Sequence, residues 1–415
     1  VTPSDHELVE RFGSPLFVYD AQVIRERFRE LRAALPDASD IHYAVKANPS
    51  LGVLALLRSL GAGAEIASRG ELLAAQAAGF PPERILWAGP GKTPQEHEVA
   101  AQAGIAAIHA ESDAEIRRLD VLGRRLGRRI HAGVRVHVPF SAGESTRIIG
   151  GSSATKFGVP EQEALDRARE WAALEGVLLR SVHVFNASNV LDADALAASA
   201  SRTLALAASL AERGLPVERV DLGGGLGVPM SADEKPLDVA ALGRALSLAL
   251  DAVRRERNFA PRLAIEPGRF LVAESGRYLM RVVDVKTHAG VGFLVCDGGI
   301  HHLLRPALVG QPHPVEAVGG GGGATRPQRV VGPLCTSLDD LGEHELPEMR
   351  PGDLLAVTRA GAYGFTESMP LFLSHPRPAE VLLLDGTAHV LRARVEPEEW
   401  LAGQSIPDAL REPAP

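Results

Sequence analysis

From residue 41 onward the chain repeats one pattern: a short apolar run, a polar or glycine turn, then an Ala/Leu-rich stretch with helical spacing. The runs are IHYAV (41–45), AEIA (64–67), RILWA (84–88), AAIH (106–109), HAGVRVHV (131–138), LLRSVHVF (178–185), ERVDL (218–222) and RLAIE (262–266). Between them lie amphipathic segments such as LGVLALLRSL, GELLAAQAAGF and LDVAALGRALSLALDAVRRER. Strands that alternate with helices pair in parallel through right-handed crossovers. Eight such units over roughly 230 residues predict an α/β fold, a (β/α)8 barrel of the TIM type, rather than an open doubly wound sheet.

The pattern changes after about residue 270. RYLMRVVDVKTHA, GFLVCDGG, DLLAVTRAG and AEVLLLDGTAHVLRARV alternate or are β-rich, with turns and no long helices between them. They predict a mostly antiparallel second domain, with which the early run PLFVYD (15–20) can pair. The expected organisation is a barrel over 21–270 and a β domain built from 1–20 and 271–415. Five consecutive glycines (319–323) read as a surface loop, since a phosphate cradle needs a strand before it and a helix after it. The tail PDALREPAP reads as frayed.

With 415 residues, 45% of them hydrophobic, the chain can bury a large core. A net charge of −8 disfavours general binding to nucleic acid or anionic membranes. No apolar run approaches the ~18 residues of a membrane span. The start, VTPSDHELVE, lacks the basic and apolar regions of a signal peptide. Two cysteines, Cys296 and Cys335, form neither a disulfide framework nor a zinc spacing, so the expected compartment is a reducing cytoplasm.

In such a barrel, function collects at the C-terminal ends of the strands. The first strand ends in Lys46, and Ser68 follows the second. The sixth carries His183 and Asn186 in HVFNASN, the seventh runs into DLGGGLG (221–227), and the eighth ends in EPGR (266–269). Singly, each has a plain explanation: a snorkelling lysine, a satisfied core histidine, a glycine turn, a structural ion pair. Together they meet the requirements of pyridoxal 5′-phosphate. Backbone N–H groups at a glycine loop opening a helix, with Arg269, bind a phosphate. A lysine in apolar surroundings has a lowered pKa and forms a Schiff base, and a carboxylate holds a pyridine nitrogen protonated.

On YAVKAN, AEIASRGEL, KFGV, HVFNAS, DLGGGLG, EPGR, CDGG, GPLCTSLDDL and AGAYG, in that order, the chain resembles the fold-type III pyridoxal-phosphate decarboxylases over essentially its whole length. This alanine-racemase-like group includes ornithine and diaminopimelate decarboxylases. The resemblance implies that Lys46 carries the cofactor and that His183 stacks on its ring. Gly223, Gly224, Gly225, Arg269 and Tyr363 would hold the phosphate, with Pro267 and Gly268 completing the EPGR motif. Glu266 would bond the pyridine nitrogen, Glu65 would support it from behind, and Arg135 would lie near the phenolic oxygen. Cys335 would reach the active site of a partner subunit and return a proton to Cα, which implies an obligate homodimer. For Cys296 an inert buried thiol is expected.

The departures concern phosphate and substrate. The usual HVGS appears as HVFN, which puts Asn186 where a phosphate-binding serine is expected. Ornithine and diaminopimelate enzymes carry an acidic residue after the motif cysteine; here it is Thr336, which supplies no ion pair to a distal amine. Arg305 of RPAL matches the arginine with which diaminopimelate enzymes grip a distal carboxylate, yet the tyrosine expected after it is Val309. Asp297 is retained and ambiguous. HVFNAS, DGGIHH, GPLCTSLD and GAYGFTESMPLFLSHPRPAEVL look closer to a subgroup of natural-product, siderophore and exosortase-associated clusters, some of whose members decarboxylate an amino acid tethered to an acyl-carrier protein. The basic run RRLDVLGRRLGRR (117–129) is either a docking surface for an acidic carrier or, as favoured, a solvated helix face. The leading expectation is a decarboxylase acting on a derivatised or carrier-linked amino acid. Free diaminopimelate is the nearest rival; a racemase would need a tyrosine base opposite Lys46, and retention of Lys46, His183 and Cys335 argues against a non-catalytic regulator.

Overall fold

The computed structural model describes residues 2–138, 155–319 and 324–411. Within them, contacts divide the chain into one unit of Tyr19–Arg277 with Thr358–Tyr363 and a second of residues up to Val18, Tyr278–Val357 and from Gly364 on.

In the first unit eight parallel strands close on themselves: β2 (Ser39–Ala44), β3 (Gly63–Ile66), β4 (Ile85–Trp87), β5 (Ala107–Ala110), β6 (Ile130–His137), β8 (Val177–His183), β9 (Arg219–Asp221) and β10 (Arg262–Ile265). Their order is that of the chain, with β10 pairing β2 and β5 pairing β6 to complete the ring; β7 (Val159–Pro160) only adds to β6. Each predicted apolar run falls on one of these strands. Helices follow them, including α3 (Leu51–Ser59), α4 (Arg69–Ala77), α5 (Pro94–Ala103), α6 (Asp113–Arg125), α7 (Glu161–Ala172), α8 (Ala193–Glu212) and α9 (Val239–Arg257). Their starts are written locally: Thr93 and Glu96 form a capping box with Pro94 at the first position of α5, and Ser112 caps α6 by accepting from the Glu115 N–H. Trp171 of α7 is fully buried and donates through Nε1 to Asp113 of α6 at 2.8 Å, so removing its indole would cost about 3–5 kcal/mol.

The barrel interior is polar towards the strand ends. Parallel register sets Arg135, His183 and Asp221 side by side on β6, β8 and β9, with Ala264 of β10 next in line. Two residues earlier on β6, Gly133 faces the His109 ring; a Cβ there would lie 2.6 Å from its Cδ2. Glycine is therefore required for a histidine to lie across the floor.

The second unit is mostly antiparallel, as expected. Its sheet runs β15 (Asp340–Leu346), β14 (Arg326–Val331), β12 (Val291–Cys296), β11 (Gly276–His288), β1 (Leu16–Asp20), β17 (Ala379–Leu384) and β18 (Thr387–Arg392). β16 (Leu354–Val357) pairs antiparallel with β11 and with β13 (Val315–Ala317), while β12 and β14 pair in parallel. The early strand β1 does pair into it. Leu8, Leu16, Val18, Leu279, Leu354 and Val381 form its core. Residues 320–323 of the glycine run and the last residues of the tail, 412–415, lie outside the described residues.

Thr358–Tyr363 departs from the sequence reading, which gave everything after 270 to the β domain. This segment belongs to the barrel unit because Tyr363 N–H donates to Ala47 C=O at 2.8 Å and Asn48 Nδ2 to Gly361 C=O at 3.1 Å.

Several histidines are buried in the neutral form. Burial pushes His42 down to about 3 and His183 and His301 to about 4, and lowers His109 and His302 as well. An unfolded histidine titrates near 6.5, so these groups contribute stability above that pH and lose it as pH falls towards about 4. The melting temperature should therefore drop steeply between pH 6.5 and 4.5. His42→Leu should make that slope shallower, by on the order of a few kcal/mol across the window; thermal unfolding at stepped pH checks it, and an unchanged slope contradicts it.

Candidate active site

The strand ends bring Lys46, Glu65, Arg135, His183 and Glu266 to one cavity of about 240 Å³, which Gly224, Gly225, Arg269 and Tyr363 also line. Lys46 follows β2 in a single 3-10 turn, Val45–Ala47, and keeps 40% of its side chain accessible, so its amine is reachable from the cavity. Nζ donates to Glu65 Oε2. Enclosure works against the ammonium, but Glu65, then Glu266 and Tyr363, outweigh it and hold Lys46 above the usual lysine range. This corrects the expectation of a lysine lowered by apolar surroundings: the neighbours are acidic, and the charge is paired. Glu65 accordingly contacts Lys46 directly, besides facing Glu266.

His183 and Glu266 form the inner wall. His183 is buried with neither ring nitrogen hydrogen-bonded among the described residues, and its Nε2 lies 3.5 Å from Glu266 Oε2. His109 stacks beneath it, centroids 4.7 Å apart at 26°. Burial, reinforced by Glu65, raises Glu266 above the usual carboxylate range. Arg135 donates to Glu111 Oε1 at 2.8 Å and lies over the Phe157 ring. Glu111 also accepts from the N–H groups of Gly89 and Gly158, at 2.9 and 3.0 Å, tying two loops to the arginine.

The glycine run is an irregular loop, since α9 begins only at Val239; no helix opens directly from it, contrary to expectation. What suits it to an anion is space and backbone. Gly223 and Gly225 have φ of 66° and 90°, and a Cβ on Gly224 would lie 2.4 Å from Glu266 O. Arg269 lies over the Tyr363 ring, 5.0 Å from its centroid, and Tyr363 holds φ at 54°, a strained value for a tyrosine. Pro267 accepts from the Ala44 N–H at 3.2 Å, and a Cβ on Gly268 would meet Ala47, so the EPGR backbone is clamped against the turn that carries Lys46.

Asn186 is turned away. Its Nδ2 donates to Ser199 Oγ of α8 at 3.2 Å, and it lines a separate, smaller apolar cavity behind the glycine loop. Ser188 and Asn189 line the main cavity instead. Asn186, expected at the phosphate, therefore does not line the main cavity.

The remaining predicted site residues belong to the β unit. Cys335 and Thr336 lie in the turn between β14 and β15, with Cys335 exposed. Asp339 accepts from the N–H groups of Leu334 and Ile300, both at 2.8 Å, and so joins that turn to the CDGG loop. Asp297 accepts from Arg281 N–H at 2.9 Å, and burial raises it. Arg305 is buried and committed: NH1 donates to both oxygens of Glu367, at 3.0 and 2.7 Å, and Nε to Gln311 at 3.0 Å. Cys296 is buried and its thiol is pushed up by that burial.

Sequence reasoning missed Glu111, His109, Ser188 and Asp221. Glu111 had a signal, since it directly follows β5 just as Lys46 follows β2. His109 had none, because which side chains face a barrel interior is settled by register; Ser188 and Asp221 stand inside HVFNASN and DLGGGLG, where nothing in the spacing singles them out. The cavity fits pyridoxal phosphate on its own features: an unbonded imidazole, a Glu266 oxygen without a donor, a glycine cradle beside an arginine, and an accessible amine.

Residues 21–273 match the family described as pyridoxal-dependent decarboxylase, pyridoxal binding domain. The chain is 34% identical over 397 residues to diaminopimelate decarboxylase of Aquifex aeolicus, covering 94% of this chain and 91% of that protein. It is 33% identical over 410 residues to the L-glutamyl-(BtrI acyl-carrier protein) decarboxylase of Niallia circulans, covering 96% and 95%. The crystal structure of diaminopimelate decarboxylase from Helicobacter pylori complexed with L-lysine superposes with a TM-score of 0.88 at 30% identity, over 95% of this chain and 98% of that one. With a closed barrel, an antiparallel domain and this cavity already in place, the chain belongs to the pyridoxal-dependent decarboxylases: it is a carboxy-lyase for an amino acid, with pyridoxal phosphate as its cofactor.

Proposed function

We propose that the enzyme decarboxylates an amino acid that is derivatised or linked to a carrier protein, in natural-product or siderophore biosynthesis. The observation that carries this is the state of Arg305. A buried guanidinium that donates from NH1 to both oxygens of Glu367 and from Nε to Gln311 already has a carboxylate partner, which disfavours a substrate's distal carboxylate as a second one. Thr336 is uncharged and offers a distal amine no ion pair. A relative that acts on a carrier-linked glutamyl group aligns along nearly the whole chain, which supports the same reading. The basic run at 117–129 does not add to it. Arg117 pairs with Asp113 and Glu170, Arg124 with Asp120 and Arg125 with Glu98, so α6 behaves as a solvated face braced to its neighbours.

In this reading Lys46 would hold the cofactor covalently, His183 would pack against its ring, Glu266 would face the pyridine nitrogen and Arg135 the phenolic oxygen. The Gly223–Gly225 backbone, Ser188, Arg269 and Tyr363 would hold the phosphate. When bound, pyridoxal phosphate supplies the sink for the electron pair released as the Cα–carboxylate bond breaks. The chain's part is positioning and a fixed electrostatic field. Cys335 of a second copy donates the proton that replaces the carboxylate at Cα, so the working unit is a homodimer.

Free diaminopimelate is the alternative, favoured by the many relatives that bear that activity's name. Carbon dioxide release from a panel of free amino acids and from glutamyl and related groups loaded on a carrier protein separates the two. Release only from derivatised or loaded substrates is expected; robust release from free diaminopimelate would contradict it. Ser188→Ala should weaken retention of pyridoxal phosphate about tenfold, the worth of one hydrogen bond to a charged group. Asn186→Ala should change it by less than about twofold. Cofactor titration of both variants decides, and the reverse order would return Asn186 to the phosphate.

A further inference from the structure

A further charged pair is buried in the barrel unit, outside the cavity. Lys92 lies between β4 and α5, and Glu115 on the first turn of α6; their side chains are 3% and 4% exposed and stand 3.0 Å apart. A buried ion pair adds little stability over apolar side chains of similar size, so stability alone does not account for it. What distinguishes this pair is that its hydrogen-bonding capacity is spent on named neighbours. Lys92 Nζ donates to Glu115 Oε1, to His109 C=O at 2.8 Å and to Gly89 C=O. Those partners take all three ammonium hydrogens. Glu115 Oε1 also faces His97 Nε2 of α5 at 2.9 Å, and Oε2 accepts from the Glu111 N–H at 2.8 Å. Against burial, the His97 hydrogen bond and the Lys92 charge hold Glu115 below the usual carboxylate range.

The bond to Glu111 connects the pair to the cavity. A glutamate at the third position of a helix ordinarily reaches back to the N–H of the capping residue. Ser112 caps α6, and Glu115 reaches one residue beyond it, to Glu111. Glu111 in turn accepts from Arg135 NH1, Gly89 N–H and Gly158 N–H, at 2.8, 2.9 and 3.0 Å. Gly89 is therefore gripped from both sides, by Glu111 at its N–H and by Lys92 at its C=O. Arg135 and Gly89 line the cavity, whereas Lys92, Glu111 and Glu115 do not. The network runs from Lys92 through Glu115 and Glu111 to Arg135: two cations and two carboxylates, all buried.

We propose that Lys92 and Glu115 are positioning residues that fix Glu111 and, through it, aim Arg135 into the cavity that takes pyridoxal phosphate. Neither reaches the cofactor's space; the arginine does so for them. The inference rests on the reading above for Arg135 being a cofactor contact, and goes beyond it in naming what holds the arginine. A carboxylate and an ammonium with their bonds committed admit one arrangement, and the guanidinium inherits that order.

Equilibrium titration of the cofactor-free full chain with pyridoxal phosphate tests this in four proteins. They are the wild type, Lys92→Met/Glu115→Leu, Arg135→Gln, and the three changes together. Removing both charges of the pair leaves neither stranded, and glutamine at 135 keeps a donor for Glu111. The pair variant should bind about tenfold more weakly, and Arg135→Gln at least as weakly. Adding the pair change to Arg135→Gln should cost less than about twofold more, because no guanidinium is left to aim. A merely structural pair would cost the same factor in both backgrounds; that result, or wild-type affinity in the pair variant, overturns the inference. Wild-type affinity in Arg135→Gln alone would instead remove the arginine from the cofactor, failing the reading above and the inference with it, so the two failures look different. Should a variant not fold, Glu115→Gln and Arg135→Lys replace the pair change and Arg135→Gln, judged by the same criteria.

Discussion

Lys46, Arg135, Glu65 and Glu266, an ammonium, a guanidinium and two carboxyl groups, share one barrel cavity, and each buried charge needs a partner. Lys46 is held by Glu65 and Arg135 by Glu111, while Glu266 lies 3.5 Å from His183. Buried charge is tolerable only when paired, and breaking one pair leaves its partner costly. The arrangement also explains why the floor is built from His109 and His183, which fill space as neutral rings. A glycine at 133 is the steric consequence of that floor.

The same constraint divides the molecule's tasks. The barrel unit supplies a rigid field around a fixed amine, and the glycine loop, clamped by Glu266 and Ala187, supplies backbone donors without needing a helix dipole. In the β unit Arg305 is buried and paired with Glu367, and Thr336 stands uncharged beside Cys335.

Much of this was legible in the chain. Eight apolar runs mark eight barrel strands, because parallel strands buried on both faces read as continuous hydrophobic stretches. Residues just past those runs, Lys46 and Glu266 among them, mark the cavity because parallel register puts strand ends on one side. What stayed hidden depends on contacts distant in sequence. Thr358–Tyr363 joins the barrel through Ala47 and Asn48. Asn186 turns to Ser199 of α8 while Ser188 lines the cavity, and the acidic company of Lys46 comes from other strands.

The central claim is that the amine at position 46 holds the cofactor covalently. Borohydride treatment of the loaded protein, followed by peptide mass spectrometry, measures this directly. The account predicts that the mass of the reduced cofactor is fixed on the peptide containing Lys46 and on no other lysine. Cofactor that leaves intact on denaturation after borohydride, or that is fixed elsewhere, would contradict it.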